Sequence, residues 1–424
     1  MASRRQLLCP IVLLLFACLA LQRQILAILA HAPHPPTACE VRDSLAHAAN
    51  QSHAEPDDVD STKTAVVRLY WWFRFQGARR ATGPKALRGD YTCAEHGLRC
   101  ILDSTDAAFA SAHAVIVWVG ARPDRECLPP QLPDHTWVVE FSESPAYYSE
   151  LRDEAFMSRF SLKVSTEIDS DVMLTAVHPL VEGGVVPPAR WLHAPAGTSP
   201  KLAIVWMAKN CESRNKRELL VTSLRAALPA SLPLHSLGEC LHTHDAPSLA
   251  PKTGAWAPDA SDDALRSKLT TLGSYTFCLV LENSIAADYV TEKLFHAFAA
   301  GCYPIYYGTR DVSRVLPHAQ AAVQVLDYRS VLALVTALQE LAARPAELQA
   351  RQAWRDDPAA VERWWQTLRN RTAAQRTATK PQHFCSICDA VRKARRRGGG
   401  ASSSTHHRLR PSRRPPEDAW EALV

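Results

Sequence analysis

The sequence predicts an α/β protein of two domains that face each other across a cleft. Three observations carry this. Tyr275–Gly308 reads as one strand–helix–strand unit. Phe277–Leu281 is short enough for a buried strand, Val290, Leu294, Ala297 and Phe298 follow at helical spacing, Gly301 stops the helix, and Tyr303–Tyr307 is a second strand closed by Gly308. Short runs rich in β-branched and aromatic residues recur in both halves of the chain, with spacers long enough for helices. The 424 residues, 47% of them hydrophobic, suffice for two core-bearing domains. His178–Pro200, with five prolines and two adjacent glycines, has the composition of a linker between them.

In chain order, Leu7–Leu21 is an apolar run preceded by Arg4 and Arg5, interrupted at Gln22-Arg23-Gln24 and resumed over Ile25–Ala30. The charges before it favour a cytoplasmic N-terminus, so residues 1–30 read as a cytoplasmic tail and signal anchor. A cleaved signal peptide ending near Ala27–Ala30 is the alternative. Residues 31–64 read as a flexible stem, because they lack periodicity.

A first domain, 65–190, has strands at Ala65–Tyr70, Ala114–Val119 and Thr136–Phe141, the last ending in Ser142-Glu143-Ser144-Pro145. A carboxylate just beyond a strand, held by a proline turn, can point into a cleft; a solvated loop glutamate has the same signature.

A second domain, 200–375, opens with the strand Leu202–Met207. A basic loop through Asn210, Ser213 and Arg214 leads to a helix from about Glu218 to Leu228, as at an anion site. Leu234–Leu237 is a strand, Leu265–Leu272 a helix, Val323–Leu326 a strand, and Ser330–Ala343 and Trp354–Arg371 helices whose tryptophans suit a core. A CxxC segment, 376–391, and a disordered basic tail, 392–424, end the chain. That tail holds nine Lys/Arg against three acids, so the net charge of +5 belongs to it and gives no reason to expect a nucleic-acid partner.

Ten of the twelve cysteines lie beyond the apolar segment, as suits an oxidising compartment. Cys93 and Cys100 flank a short loop, and Cys278 and Cys302 read as buried thiols. Cys385-Ser-Ile-Cys388 could hold zinc with a second pair, although a lumenal address favours disulfides. Asn50-Gln-Ser52 and Asn370-Arg-Thr372 are N-glycosylation acceptors.

No G-x-G-x-x-G, Walker A or G-x-S-x-G motif is present, which weakens dehydrogenase, NTPase and hydrolase readings. Asp58-Val-Asp60 and Asp169-Ser-Asp171 are chance-level matches to a metal-binding Asp-x-Asp, and no metal ligand is assigned. The remaining chemistry is displacement at a sugar carbon with a nucleoside diphosphate leaving. Arg214, Lys293 and a helix N-terminus would stabilise the departing charge, and Glu143 would take the proton of the attacking hydroxyl. Tyr289, Glu292 and Lys293 lie roughly on one helix face, where Glu292 could accept from hydroxyls and Lys293 reach phosphate. A Glu292–Lys293 pair that only solvates the helix start has the same spacing.

At these residues the chain resembles the α1,3-fucosyltransferase family of secretory-pathway enzymes, glycosyltransferase family 10. The resemblance rests on Phe277-x-x-x-x-Glu282-Asn283-Ser284, Asp288-Tyr289-Val290-Thr291-Glu292-Lys293 and Gly301-x-x-Pro304-x-x-x-Gly308. It extends to Trp206-x-x-x-Asn210-Cys211-x-x-Arg214-Asn215, Gly238-x-Cys240-Leu241-His242, Glu143-Ser144-Pro145 and Cys385-x-x-Cys388, and so covers about Ala65–Cys388.

It implies a GT-B fold of two Rossmann-like domains, the first on the acceptor side, and GDP-fucose as donor. It also implies transfer with inversion to a glycoprotein or oligosaccharide acceptor, on an N-acetylglucosamine hydroxyl of N-glycans. The address implied is the Golgi membrane, single-pass type II, with the catalytic part lumenal. Glu143 would be the general base, and Asn210, Ser213, Arg214, Asn283, Tyr289, Glu292 and Lys293 would hold the donor. No obligatory cofactor is implied; a divalent cation could act as a stimulant. Cys211 would pair with Cys240, and the CxxC with Cys93 and Cys100. The chain departs from the family at Ser165-Thr166-Glu167-Ile168, where basic residues are usual, and at Thr309-Arg310-Asp311. A glycan-binding protein that kept the fold without activity, and a transferase of another nucleotide sugar, are the competing readings.

Overall fold

The computed structural model describes residues 38–51, 64–72, 88–121, 126–174, 199–245, 262–370, 375–376, 380–398 and 409. The signal anchor, most of the linker and the Asp58-Val-Asp60 motif lie outside them. The strands in chain order are β1 (Ala65–Trp72), β2 (Arg88–Cys93), β3 (Leu98–Asp103), β4 (Ala114–Trp118), β5 (Thr136–Glu140), β6 (Leu162–Ser165), β7 (Val172–Met173), β8 (Lys201–Trp206), β9 (Leu234–Ser236), β10 (Tyr275–Leu281), β11 (Tyr303–Tyr307), β12 (Val323–Gln324) and β13 (Gln375–Arg376). They form two sheets, β13-β7-β6-β5-β4-β1-β3-β2 and β12-β11-β10-β8-β9. The second is parallel throughout, and the first is parallel except for β2, which runs against β3.

Parallel strands are reached by crossovers, which put helices on both faces and require apolar residues on both sides of each strand. That is why Phe277–Leu281 and Tyr303–Tyr307 are continuous apolar runs; both are buried throughout. The helices are α1 (Ala38–Gln51), α2 (Glu154–Met157), α3 (Arg217–Ala227), α4 (Asp262–Gly273), α5 (Glu292–Ala300), α6 (Val331–Ala342), α7 (Pro345–Gln352), α8 (Pro358–Asn370) and α9 (Lys380–Gly398). On the second sheet, Leu220, Val221 and Leu224 of α3 and Leu334, Val335 and Leu338 of α6 cover one face. The other is covered by Leu269 of α4, Leu294 and Phe298 of α5, and Trp364 of α8. Phe298, Trp354 and Trp364 meet edge to face, so the tryptophans are core. Gly301 ends α5 at φ +72°, a backbone state that glycine takes without a Cβ clash.

In each sheet the strand order reverses beside the first strand of the unit: between β1 and β4 in one, between β8 and β10 in the other. Loops leaving the carboxyl ends on either side of such a point diverge and open a crevice where ligands bind.

Several expectations change. Within the supposed flexible stem, Ala38–Gln51 is a helix: Val41 and Leu45, one turn apart, are buried in the first sheet's core, and Cys39 is bonded to Cys127. Cys93 and Cys100 do not merely flank a loop; they sit on the paired strands β2 and β3, which turn at Gly97. Cys278 and Cys302 are not thiols but a disulfide, because β10 and β11 lie side by side with their Cα atoms 5.5 Å apart. The tail is not disordered from residue 392: α9 continues to Gly398, with Arg392 and Lys393 both on the buried Asp389. Pro358 begins α8, so Trp354–Arg371 is not one helix. Asn50 and Asn370 lie in the last turns of α1 and α8.

The CxxC is part of α9, which packs on β1, β2 and β3 and bonds Cys93 to Cys385 and Cys100 to Cys388. Phe384, stacked on Tyr91, seals the same contact. The pairings implied by the resemblance thus hold, Cys211–Cys240 included. These bonds close loops of 292 and 288 residues and restrict the unfolded chain strongly. Replacing Cys385 and Cys388 together by serine is expected to lower stability by about 2–5 kcal/mol. Denaturant midpoints would show this, and an unchanged midpoint would contradict it.

Candidate active site

The loops after β5, β8 and β10 meet between the two sheets. Beyond β5, the Ser144 hydroxyl accepts from the Ala146 N–H and opens a short turn, Pro145–Tyr147. Glu143 enters that turn and reaches the other unit. Its Oε2 accepts from the Tyr289 hydroxyl at 2.7 Å and from Asn283 Nδ2 at 3.0 Å. Burial holds the Tyr289 hydroxyl far above its usual range, with the Glu143 charge adding to the effect, so this phenol stays a donor at any ordinary pH. Two further hydrogen bonds tie the units among the described residues. The Tyr147 hydroxyl donates to the Asn283 carbonyl at 3.0 Å, and the Ile168 N–H to Asp288 at 3.2 Å.

The polar knot after β10 is anchored from below. Glu282, fully buried, accepts from the N–H and the hydroxyl of Thr291, both at 2.7 Å. This fixes the start of α5. Lys293 donates to the Thr291 hydroxyl at 2.7 Å and stands 3.5 Å from both Glu282 and Glu292. Burial works to raise the Glu292 carboxyl, but Lys293 and Lys268 outweigh it and hold it at about 2. Burial works against the Lys293 charge, but Glu292 and Glu282 prevail and raise it above the usual lysine range. His296, buried next to Lys268, is held well below the usual range and is neutral. The result is the Lys293 ammonium set between two buried carboxyls at the start of α5, with Lys268 acting on Glu292 as well.

The loop after β8 packs against the end of β10 and completes this side of the site. Arg217 is buried and donates to the carbonyls of Leu281 and Asn210, while Asn215 donates to the Glu282 carbonyl. The basic run was therefore more than a solvated helix start: its buried members fasten the loop to the end of β10. The Arg214 N–H bonds the Asn283 carbonyl, and its exposed guanidinium lies 5.5 Å from the centre of the Tyr147 ring. Asn210 turns the loop by accepting from the Glu212 N–H, and Ser213 donates to Glu218 and accepts from the Arg217 N–H. Gly238 lets β9 approach closely, since a Cβ there would stand 2.1 Å from the Ala208 carbonyl oxygen.

The structure thus brings Glu143, Asn283 and Tyr289 into direct contact and sets Glu292 and Lys293 beside them. Arg214 is one bond away, and Asn210 and Ser213 shape the loop. Tyr147, Arg217, Thr291 and Lys268 were not foreseen; for Arg217 and Thr291 the only signal was membership of the basic run and of the Thr-Glu-Lys motif. Asn283 Oδ1, Ser284 Oγ and Glu292 Oε2 are buried without a hydrogen-bond partner among the described residues, an arrangement suited to accepting from a ligand's hydroxyls.

Where basic residues would be usual, Glu167 is paired at 2.8 Å with the buried Lys163, which also holds Asp169, while the Lys163 N–H donates to Asp171. The Asp-Ser-Asp motif is therefore engaged locally. His242 pairs with Asp245 and His244 stacks on His235, and no group of three metal-ligand side chains gathers among the described residues.

A strand-end carboxylate facing a crevice with Arg214 and Lys293 at its edge is an arrangement of the kind glycosyl transfer needs. Residues 198–406 match the family model described as glycosyltransferase family 10 (fucosyltransferase), C-terminal part, and this stretch, about half of the chain, places it in that family. The chain is 26% identical over 214 residues to α-(1,3)-fucosyltransferase B of Drosophila melanogaster, covering 49% of this chain and 45% of that one. It is 27% identical over 208 residues to GDP-fucose protein O-fucosyltransferase 3 of Danio rerio, covering 47% and 42%. With α-(1,3)-fucosyltransferase C of Drosophila melanogaster it shares 26% over 292 residues, 61% of each chain. The match thus spans less than two thirds of these relatives. A solved α1,3-fucosyltransferase with GDP-fucose aligns at a TM-score of 0.44 and 12% identity, over 80% of this chain and 99% of that one.

Proposed function

We propose that the protein is an inverting fucosyltransferase of GT-B architecture that moves L-fucose from GDP-fucose to a hydroxyl of a glycoprotein glycan. The observation that carries this is the bonding of Glu143, from one sheet, to Asn283 and Tyr289 of the other unit. A carboxylate so placed can deprotonate an acceptor hydroxyl that attacks the anomeric carbon from the face opposite the leaving diphosphate. That geometry displaces GDP in one step and inverts the carbon. Lys293 and Arg214 would stabilise the charge growing on the diphosphate, and Glu292 would accept from ribose hydroxyls. No step requires a metal, so a divalent cation would at most stimulate. The N-terminal reading supports a single-pass type II membrane protein and the five disulfides support an oxidising, lumenal compartment, for which we propose the Golgi.

A second reading, transfer to the protein rather than to a glycan, is favoured by the relatives whose names are GDP-fucose protein O-fucosyltransferase 3. Purified protein incubated with GDP-fucose and a panel of N-glycans, N-acetyllactosamine and folded glycoprotein domains tests both. GDP release with a new α-linked fucose on a GlcNAc hydroxyl is expected. Fucose attached directly to the polypeptide would select the second reading. Glycan binding with no GDP release on any acceptor would overturn both.

A further inference from the structure

We infer that Tyr147 is a positioning residue that makes the holding of the donor diphosphate and the placement of the base a single arrangement. The inference rests on the donor-site reading above. Tyr147 lies four residues beyond Glu143, on the same turn, and its ring packs against the first sheet's core, but its hydroxyl and the face of its ring also reach the other unit. Its hydroxyl donates to the Asn283 carbonyl at 3.0 Å, and its ring faces the Arg214 guanidinium at 5.5 Å. The same carbonyl accepts the Arg214 N–H at 3.0 Å, and the Asn283 amide donates to Glu143 at 3.0 Å. Four residues therefore close a ring: base, amide, arginine and tyrosine.

Arg214 is exposed and makes no ion pair among the described residues, so little else restrains its long side chain. An aromatic face beneath a guanidinium attracts the cation and limits its rotation without using its N–H donors, which stay available to a phosphate. The hydroxyl does a separate job. It fixes the Asn283 peptide, whose side chain is one of two donors that aim Glu143. Ring and hydroxyl can be removed separately, which separates the two roles.

The experiment measures GDP affinity by calorimetry and kcat by GDP release, for Tyr147→Phe, Tyr147→Leu, Arg214→Ala and the Tyr147→Leu/Arg214→Ala double variant. Tyr147→Phe keeps the ring; it is expected to hold GDP affinity within about twofold and to lower kcat roughly tenfold, the loss of one hydrogen bond. Tyr147→Leu is expected to weaken GDP binding about fivefold as well, the scale of an exposed cation–π contact. In the Arg214→Ala background, Tyr147→Leu should cost no further GDP affinity. An equal loss in both backgrounds, or a loss as large in Tyr147→Phe as in Tyr147→Leu, would mean the tyrosine is merely structural and overturns the inference. If Arg214→Ala weakens GDP binding while Tyr147→Leu does not, the inference alone falls. If Arg214→Ala leaves GDP affinity unchanged, the donor-site reading falls, and the inference with it.

Discussion

Replacing Glu143 by glutamine is expected to reduce kcat by about 10²–10⁴-fold, the usual contribution of a positioned general base, with GDP affinity changed by no more than about twofold. The substitution is nearly isosteric. Its amide oxygen can still accept from the Tyr289 hydroxyl and from Asn283 Nδ2, so the link between the two units survives. What it loses is the ability to bind a proton from an attacking hydroxyl. The two effects separate because, among the described residues, Glu143 forms no hydrogen bond or ion pair with Lys293 or Arg214, the residues assigned to the diphosphate, and its charge is only a minor influence on Lys293 beside Glu292 and Glu282. Measuring kcat and GDP affinity side by side checks the assignment. A large loss of GDP binding with a small loss of kcat would make Glu143 a clasp between units rather than a base.

The parallel strands that carry the site were legible because burial on both faces leaves no choice of residue. Tyr303–Tyr307 was read with its observed bounds, and Phe277–Leu281 extends only to Tyr275. The edge of the first sheet was not legible. Arg88–Thr92 alternates exposed and half-buried positions before the buried Cys93, and it lies in a spacer that the sequence reads only as long enough for a helix. Helix α1 was hidden for a related reason: it is held by two apolar residues and one disulfide, too few to raise a periodic signal above an alanine-rich background. The Cys278–Cys302 bond depends on the register of β10 against β11, which no local pattern states. The donor motif was read from Glu282 through Lys293 because those residues are close in sequence. Tyr147 was missed because its partners, Arg214 and Asn283, are 67 and 136 residues away, and a tyrosine in a proline turn is otherwise unremarked.

Lys293→Ala is expected to have the largest combined effect, on binding and on stability. Lys293 is the ammonium nearest the buried Glu282 and Glu292, and it also anchors through the Thr291 hydroxyl. Taking a cation from a buried pair leaves an unpaired carboxylate, which costs about 3–5 kcal/mol when burial is complete; Lys293 itself is 27% exposed, so the lower end is expected. The pH dependence carries the proof. In the wild type, Glu292 titrates at about 2, below its ordinary 4.5. A depressed carboxyl contributes stability that is complete above 4.5 and is lost as pH falls from 4.5 towards 2. Without Lys293, burial has less to oppose it and favours the neutral acid, so the stabilisation present at pH 7 shrinks, whereas in the wild type it is already reduced near pH 3 and is gone only below about 2. The difference in Tm between wild type and Lys293→Ala should therefore be widest near pH 7 and narrow as pH falls below 4.5. GDP affinity should fall at least tenfold at pH 7, on the scale of a charge-assisted bond to phosphate. A Tm difference that stays constant from pH 7 to pH 3 would show that Lys293 acts by packing rather than by charge, and unchanged GDP affinity would remove it from the diphosphate site.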